Sequence, residues 1–117
     1  EQNVIIGGLS AVHQFVRLGK YCMIGGMSGV GQDIIPYGLY IGIRSRLKGL
    51  NVIGLKRKGL NSNQINILKQ NFDLLFNKEK SVNEHVKEIN KYKTKSIELK
   101  EILDFIIANG SRGLCST

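Results

Sequence analysis

Aliphatic residues recur at every sixth position through the first part of the chain: Ile6, Val12, Leu18, Ile24 and Val30. The residue after each reads Gly7, His13, Gly19, Gly25 and Gly31, and the residue four after each reads Ser10, Val16, Cys22, Ser28 and Ile34. An α-helix with its 3.6-residue turn cannot keep every sixth residue on one side, and a hairpin sheet shows alternation broken by turn pairs instead. The backbone arrangement that satisfies the period is a parallel β-helix, in which each hexad supplies one short strand and one corner, and three hexads close a coil. The aliphatic residue then points into the prism, the small residue packs beside it, and glycine relieves the corner. Stacked in ladders, such side chains contribute about 1.5–3 kcal/mol each on burial. Residues 1–36 hold fewer than two full coils, whereas a repeat stack generally needs about three or more units. The expectation is a C-terminal piece of a polypeptide that extends upstream.

Pro36 interrupts the period, and Tyr37 to Leu50 reads as a capping stretch with Tyr40, Ile41 and Ile43 available for one last strand. Beyond it the pattern turns helical. Asn51 to Lys58 forms a short helix closed by Gly59; Asn61 with Gln64 makes a capping box ahead of Ile65, Leu68, Phe72, Leu75 and Phe76; Ser81 with Glu84 repeats the signal before Val82, Val86 and Ile89. A last helix starts near Ser96, with Ile102, Leu103, Ile106 and Ile107 as its apolar stripe and Gly110 as its stop. Glycine marks the same division: 12 of the 14 glycines lie in residues 1–59, and Asn61 to Asn109 contains none. The fold class is therefore mixed, β then α, with residues 1–50 as coils and cap and residues 51–117 as a small helical domain.

A chain of 117 residues is bounded to one small domain or two sub-domain pieces. No apolar run approaches the length of a membrane span, and Glu1 to Val4 lacks the basic start of a secretory signal; a soluble, intracellular chain is expected. Cys22 and Cys115 lie far apart without a CxxC motif or a nearby histidine pair, which argues against a zinc site and a disulfide framework and for reduced thiols. The formal net charge is +8, with most of the basic excess in the second half.

Three stretches together resemble one family. They are Ile6-Gly-Gly-Leu-Ser-Ala-Val-His-Gln-Phe15, Ile24-Gly-Gly-Met-Ser-Gly-Val-Gly-Gln-Asp33 and Asn51-Val-Ile-Gly-Leu-Lys-Arg-Lys-Gly59. In this order, ahead of a helical tail, they closely resemble the C-terminal part of the bacterial acyl-carrier-protein UDP-N-acetylglucosamine O-acyltransferases, which open lipid A synthesis. The resemblance implies a left-handed parallel β-helix, a cytoplasmic homotrimer with active sites between neighbouring subunits, and transfer of a 3-hydroxyacyl chain from acyl carrier protein to the sugar 3-hydroxyl. It implies no cofactor beyond the phosphopantetheine thioester of the carrier, and no metal. The mechanism implied is general-base catalysis by a histidine, with a backbone amide stabilising the oxyanion; both groups are expected upstream, so this chain should hold no catalytic residue and be inactive alone.

The same resemblance distributes the binding roles. His13 and Gln14 match residues lining the sugar-nucleotide cleft; read without it, His13 is a solvated corner residue. Gly26 matches a position facing the acyl groove, where a missing side chain leaves room for a long chain; otherwise it is a corner glycine. Arg57 and Lys58 match a basic pair used on nucleotide phosphates, where a guanidinium fork spans two oxygens, although Lys58 replaces a frequent arginine. Asn51 matches a polar nucleotide contact, Ile53 stands where an acidic contact is common, and Arg44 departs from a groove-end histidine. His85, between Glu84 and Val86 without a partner in spacing, is expected at the surface.

A different class of function also fits the charge: a non-catalytic basic module that binds an acidic partner. No aromatic residues are interleaved with the basic ones in an RNA-binding pattern, and the helical lysines mostly alternate with glutamates. Nucleic acid is thus disfavoured, and an acidic carrier protein is the better partner.

Overall fold

The computed structural model describes residues 2–8, 10–26, 28–42, 46–110 and 113–117. Strand β1 (Ile5–Ile6) lies parallel to β3 (Met23–Ile24), and β2 (Ala11–Val12) parallel to β4 (Gly29–Val30). Ile5 pairs with Met23 and Ala11 with Gly29, three hexads on in each case, so the coil has the length that the repeat demands. The third face is a parallel bridge of Leu18 to Ile34, two residues short of three hexads. The same shortening carries into β5 (Gly38–Tyr40), where Met23 meets Leu39 and Ile24 meets Tyr40. Coil 2 drops these residues between Val30 and Ile34. Coil 1 keeps them between Val12 and Leu18, in a turn with Phe15 at φ 66° that leaves His13, Gln14 and Phe15 exposed.

Where one final strand was expected from Tyr40 and Ile41, the chain makes two: β5 and the antiparallel β6 (Leu47–Leu50). Ile41 falls between them, 45% exposed; Ile43 lies outside the described residues. The reversal ends the parallel stack by turning the chain back along its own edge.

Helix α1 (Val52–Lys58) starts at Asn51, whose side chain accepts from the Gly54 amide, and ends at Gly59, whose φ of 107° belongs to the left-handed region that favours glycine. Helix α2 (Ser62–Leu75) carries the expected capping box, with Asn61 and Gln64 each bonded to the other's backbone, and buries Ile65, Leu68, Phe72 and Leu75. Helix α3 (Val82–Asn90) is capped by Ser81. Helix α4 (Ile97–Ala108) buries Leu99, Ile102, Leu103, Phe105 and Ile106. Two details of α4 depart from expectation. Ile107 is 58% exposed rather than part of the stripe, because the turn of about 100° past Ile106 carries it off the edge of the buried face. The helix ends at Ala108 with Asn109 as its cap; Gly110 serves packing, since a Cβ there would sit 2.2 Å from Asp33 Oδ2.

Asp33 is buried and paired with Arg17, Nε to Oδ2 at 2.8 Å, and it also accepts from the Arg17 amide. The Arg17 guanidinium reaches the Phe105 carbonyl and lies 4.1 Å from the Phe105 ring centre, joining the coils to α4. The tail then returns to the coils: Asp33 and Leu114 form a parallel bridge, and Leu47 donates to the Ser116 carbonyl. Cys22 and Cys115 are buried in the core, and burial pushes the Cys115 thiol up to about 11, which leaves it unreactive at neutral pH.

His85 is buried, not at the surface. Val82, His85, Val86 and Ile89 follow the i, i+3, i+4, i+7 spacing of one helical face, so the imidazole belongs to the inward stripe of α3. Its Nε2 lies 3.1 Å from the Asn77 carbonyl oxygen, tying α3 to the turn that precedes it, while Nδ1 meets no hydrogen-bond partner among the described residues.

Candidate functional site

The first turn after the coils positions a cleft. Asn51, almost fully buried, uses both ends of its side chain: Oδ1 accepts from the Gly54 amide and Nδ2 donates to the Tyr21 carbonyl at 2.9 Å. This pins the start of α1 to the coil corner. The space left between them is a cleft of about 500 Å³, lined by Ile5, Tyr21 and Met23 of the coils and by Asn51, Ile53 and Arg57 beside them. The approach of α1 depends on Gly54, where a Cβ would stand 2.4 Å from Asn51 Nδ2.

Arg57 and Lys58 are neighbours in sequence and therefore about 100° apart around α1. Arg57 faces the cleft, and among the described residues no carboxylate pairs with it. Lys58 faces α4. Its Nζ bonds Glu98 Oε2 at 2.6 Å and the Tyr37 hydroxyl at 3.0 Å, and it lies 5.7 Å and 5.2 Å from the ring centres of Tyr21 and Tyr37. Those rings stack at 5.7 Å, both from corner residues with positive φ, 57° and 63°. The Tyr37 hydroxyl donates to Glu101 Oε1 at 2.6 Å, and Lys20 pairs with the same carboxylate. Burial and then Glu101 push the Tyr37 phenol far above its ordinary range, so it stays a donor. For Glu101, burial acts to raise the carboxyl, but the hydrogen bonds from Lys20 and Tyr37 outweigh it and hold the group below the usual carboxylate range.

The remaining residues singled out in the sequence lie outside this cleft. His13 and Gln14 stand on the exposed turn of coil 1, where the His13 ring covers the next coil: its Cδ2 is 3.7 Å from where a Gly31 Cβ would be. Gly26 is exposed and stacks on Gly8, and among the described residues its own Cβ would meet the Gly8 backbone, at 3.4 Å or more. Ile53 is 63% exposed at the cleft mouth. Arg44 lies outside the described residues. The structure thus unites Asn51 with Arg57, sets Lys58 behind them, and leaves His13, Gln14 and Gly26 on other faces of the chain. Sequence reasoning missed Tyr21, Tyr37, Glu98 and Glu101. The only available signal was the separation of Tyr21 from Tyr37, which equals the length of the shortened coil.

Among the described residues, no group of three or more His, Cys, Asp or Glu side chains is placed to hold a metal ion. No helix among them is long and apolar enough to cross a membrane.

Residues 33–115 match the family model described as UDP-N-acetylglucosamine O-acyltransferase, domain 2. The chain is 41% identical over 109 residues to the acyl-[acyl-carrier-protein]–UDP-N-acetylglucosamine O-acyltransferase of Bartonella henselae, covering 93% of this chain and 40% of that one. It is 40% identical over 114 residues to the Nautilia profundicola protein of the same name, covering 97% and 43%. Among solved structures, the UDP-N-acetylglucosamine acyltransferase from Campylobacter jejuni superposes with a TM-score of 0.86 at 32% identity, over 97% of this chain and 44% of that one. The Arabidopsis enzyme gives 0.88 at 30% identity, over 97% and 42%. The chain spans about two fifths of the length of these relatives, and the match falls in their C-terminal part. The coils fit the left-handed parallel β-helix of these structures.

Proposed function

The chain belongs to the UDP-N-acetylglucosamine O-acyltransferase family, and from that premise we propose that it forms part of an enzyme moving a 3-hydroxyacyl chain from acyl carrier protein to the 3-hydroxyl of UDP-N-acetylglucosamine. Its share of the work is to hold the sugar nucleotide and one wall of the acyl groove. The observation that carries this reading is the guanidinium of Arg57, paired with no carboxylate among the described residues, over a cleft of about 500 Å³. A diphosphate offers that fork a pair of oxygens, and charge-assisted contacts of this kind are the strong ones. Lys58, tied to Glu98, serves the site from behind by fixing the helix that carries Arg57. Asn51 shapes the cleft floor, and Gly26 keeps the groove open for the acyl chain.

His13 and Gln14 lie outside the Arg57 cleft, so their use on the same ligand calls for a neighbouring subunit, which a homotrimer supplies. In this reading the general base and the oxyanion amide lie in a segment outside this chain. The base takes the proton of the sugar hydroxyl as its oxygen attacks the thioester, the amide steadies the oxyanion, and the carrier thiol leaves. No cofactor beyond the carrier's own phosphopantetheine is needed, and the site of action is the cytoplasm, where the acidic carrier meets a basic chain.

Titrating UDP into the chain tests the phosphate site. Arg57→Ala should weaken binding roughly 10- to 150-fold, equivalent to about 1.5–3 kcal/mol for a lost charge-assisted contact, with an unchanged circular dichroism spectrum because the side chain is exposed. Equal affinity for the two proteins would remove Arg57 from the site.

A further inference from the structure

Three corner residues of the coils stand in one column, Asn3, Tyr21 and Tyr37, with φ of 56°, 57° and 63°. Each lies one coil beyond the last: the Tyr21 amide donates to the Gln2 carbonyl, and the Tyr37 amide to the Lys20 carbonyl. This left-handed region suits glycine and, after it, asparagine, so a bulky side chain there persists only where its surroundings hold it in place. For Tyr37 the reason is structural, since the residue is fully buried and its hydroxyl joins Glu101 and Lys58. Tyr21 differs. It is half-buried, and its hydroxyl makes no hydrogen bond among the described residues. Its carbonyl accepts from Asn51, a bond that any residue could supply. What its side chain adds is a ring on the wall of the Arg57 cleft.

That ring is held from behind. Tyr37 stacks on it with 5.7 Å between centres and 17° between planes, and the Lys58 ammonium, itself tied to Glu98, stands 5.7 Å from its centre. A ring already fixed in this way loses little freedom when a ligand arrives. With Met23 and Ile53 also lining the cleft, Tyr21 sets an aromatic and apolar wall beside a guanidinium. A diphosphate satisfies the guanidinium, and the ring suits a planar π-face carried on the same molecule. We infer, on the basis that the cleft holds a sugar nucleotide, that Tyr21 carries its nucleobase, stacked on the phenol ring and joined through the ribose to the diphosphate on Arg57. The two residues then select different things: Arg57 takes a diphosphate, and Tyr21 favours a nucleoside diphosphate over a bare one. Stacking accepts any base, so this wall reads the presence of a base rather than its hydrogen-bonding edge.

NMR titration of the chain with UDP, inorganic pyrophosphate and N-acetylglucosamine 1-phosphate tests the inference. In the parent, the carbon-bound ring protons of the bound uracil should move upfield in the ring current of Tyr21. Tyr21→Leu should weaken UDP by about fivefold or more, the lower end of what one stacked base contributes, abolish the upfield shift and leave pyrophosphate affinity unchanged. Retained pyrophosphate binding shows at the same time that the cleft of this variant is folded. Tyr21→Phe should keep both the UDP affinity and the shift, because the ring acts and not the hydroxyl. Equal losses for UDP and pyrophosphate in Tyr21→Leu would overturn the inference and leave Tyr21 a support of the fold. So would UDP binding without the upfield shift, UDP affinity that survives Tyr21→Leu, a loss in Tyr21→Phe as large as in Tyr21→Leu, or a loss confined to N-acetylglucosamine 1-phosphate, which would set the ring under the sugar. Arg57→Ala should weaken UDP and pyrophosphate together, so a failure of the phosphate site appears in that variant and a failure of the base platform in Tyr21→Leu.

Discussion

Coil 1 and coil 2 obey one template and end in opposite surroundings. Ile24 and Val30 are sealed, at 1% and 0% exposure, whereas Ile6 and Val12, one coil earlier, remain at 50% and 38%. The residues are equally apolar and share a register; the difference is that coil 2 is covered on both sides, by coil 1 and by β5 with the helices beyond, and coil 1, among the described residues, on one side. In a stacked fold the energy of a side chain therefore resides in its neighbours as much as in its own chemistry, which is the nearest-neighbour behaviour expected of repeat architectures.

The largest test compares the ladders directly. Ile24→Ala should destabilise the chain by about 2–5 kcal/mol, the cost of a cavity in a closed core, while Ile6→Ala should cost less than about 1 kcal/mol. Urea unfolding of both variants decides it, and equal losses would break the contrast between the coils. Next come the glycines that let the coils approach. A Cβ on Gly7 would lie 2.4 Å from the Gly26 amide nitrogen, a backbone atom that cannot swing aside, so Gly7→Ala should cost about 1–3 kcal/mol. Gly26→Ala places its methyl no nearer than 3.4 Å from the Gly8 backbone and should fall within about 0.5 kcal/mol of the parent. Similar midpoints for the pair would show that the coils slide apart at little cost.

The smallest effect concerns the clamp that α4 places across both coils through Glu101, which holds Lys20 of coil 1 and Tyr37 of coil 2. Its carboxyl is depressed in the folded chain, so the stability it adds is present above the ordinary carboxylate pKa and is lost as pH falls through the lower, folded value. Glu101→Gln should therefore flatten the loss of stability as pH falls below the ordinary carboxylate pKa and through the lower, folded one. An unchanged acid limb would mean that Lys20 and Tyr37 hold α4 without the charge.

Much of this was legible beforehand, for reasons that are local. The hexad period reports the coil because side chains must repeat with the geometry that buries them, and Asn61 with Gln64, Ser81 and Gly59 mark helix ends because capping acts within three residues. His85 was legible too, by its place in the spacing of Val82, Val86 and Ile89, but its polarity and the adjacent Glu84 concealed it. The capping hairpin was less so: Leu47 and Leu50 carry little strand signal alone and become a strand only against β5.

By itself the sequence determined the repeat, the helices and most of their caps, and the basic residues near Gly59, since each follows from the conformational preference of a few adjacent residues. Only the tertiary structure decided that Arg57 faces a cleft while Lys58 is spent on Glu98, that Arg17 meets a buried Asp33, and that Ile6 lies open while Ile24 is closed. Those outcomes depend on which groups arrive from 16 to 88 positions away, and charge pairing and burial are set by that arrival, which no local pattern encodes.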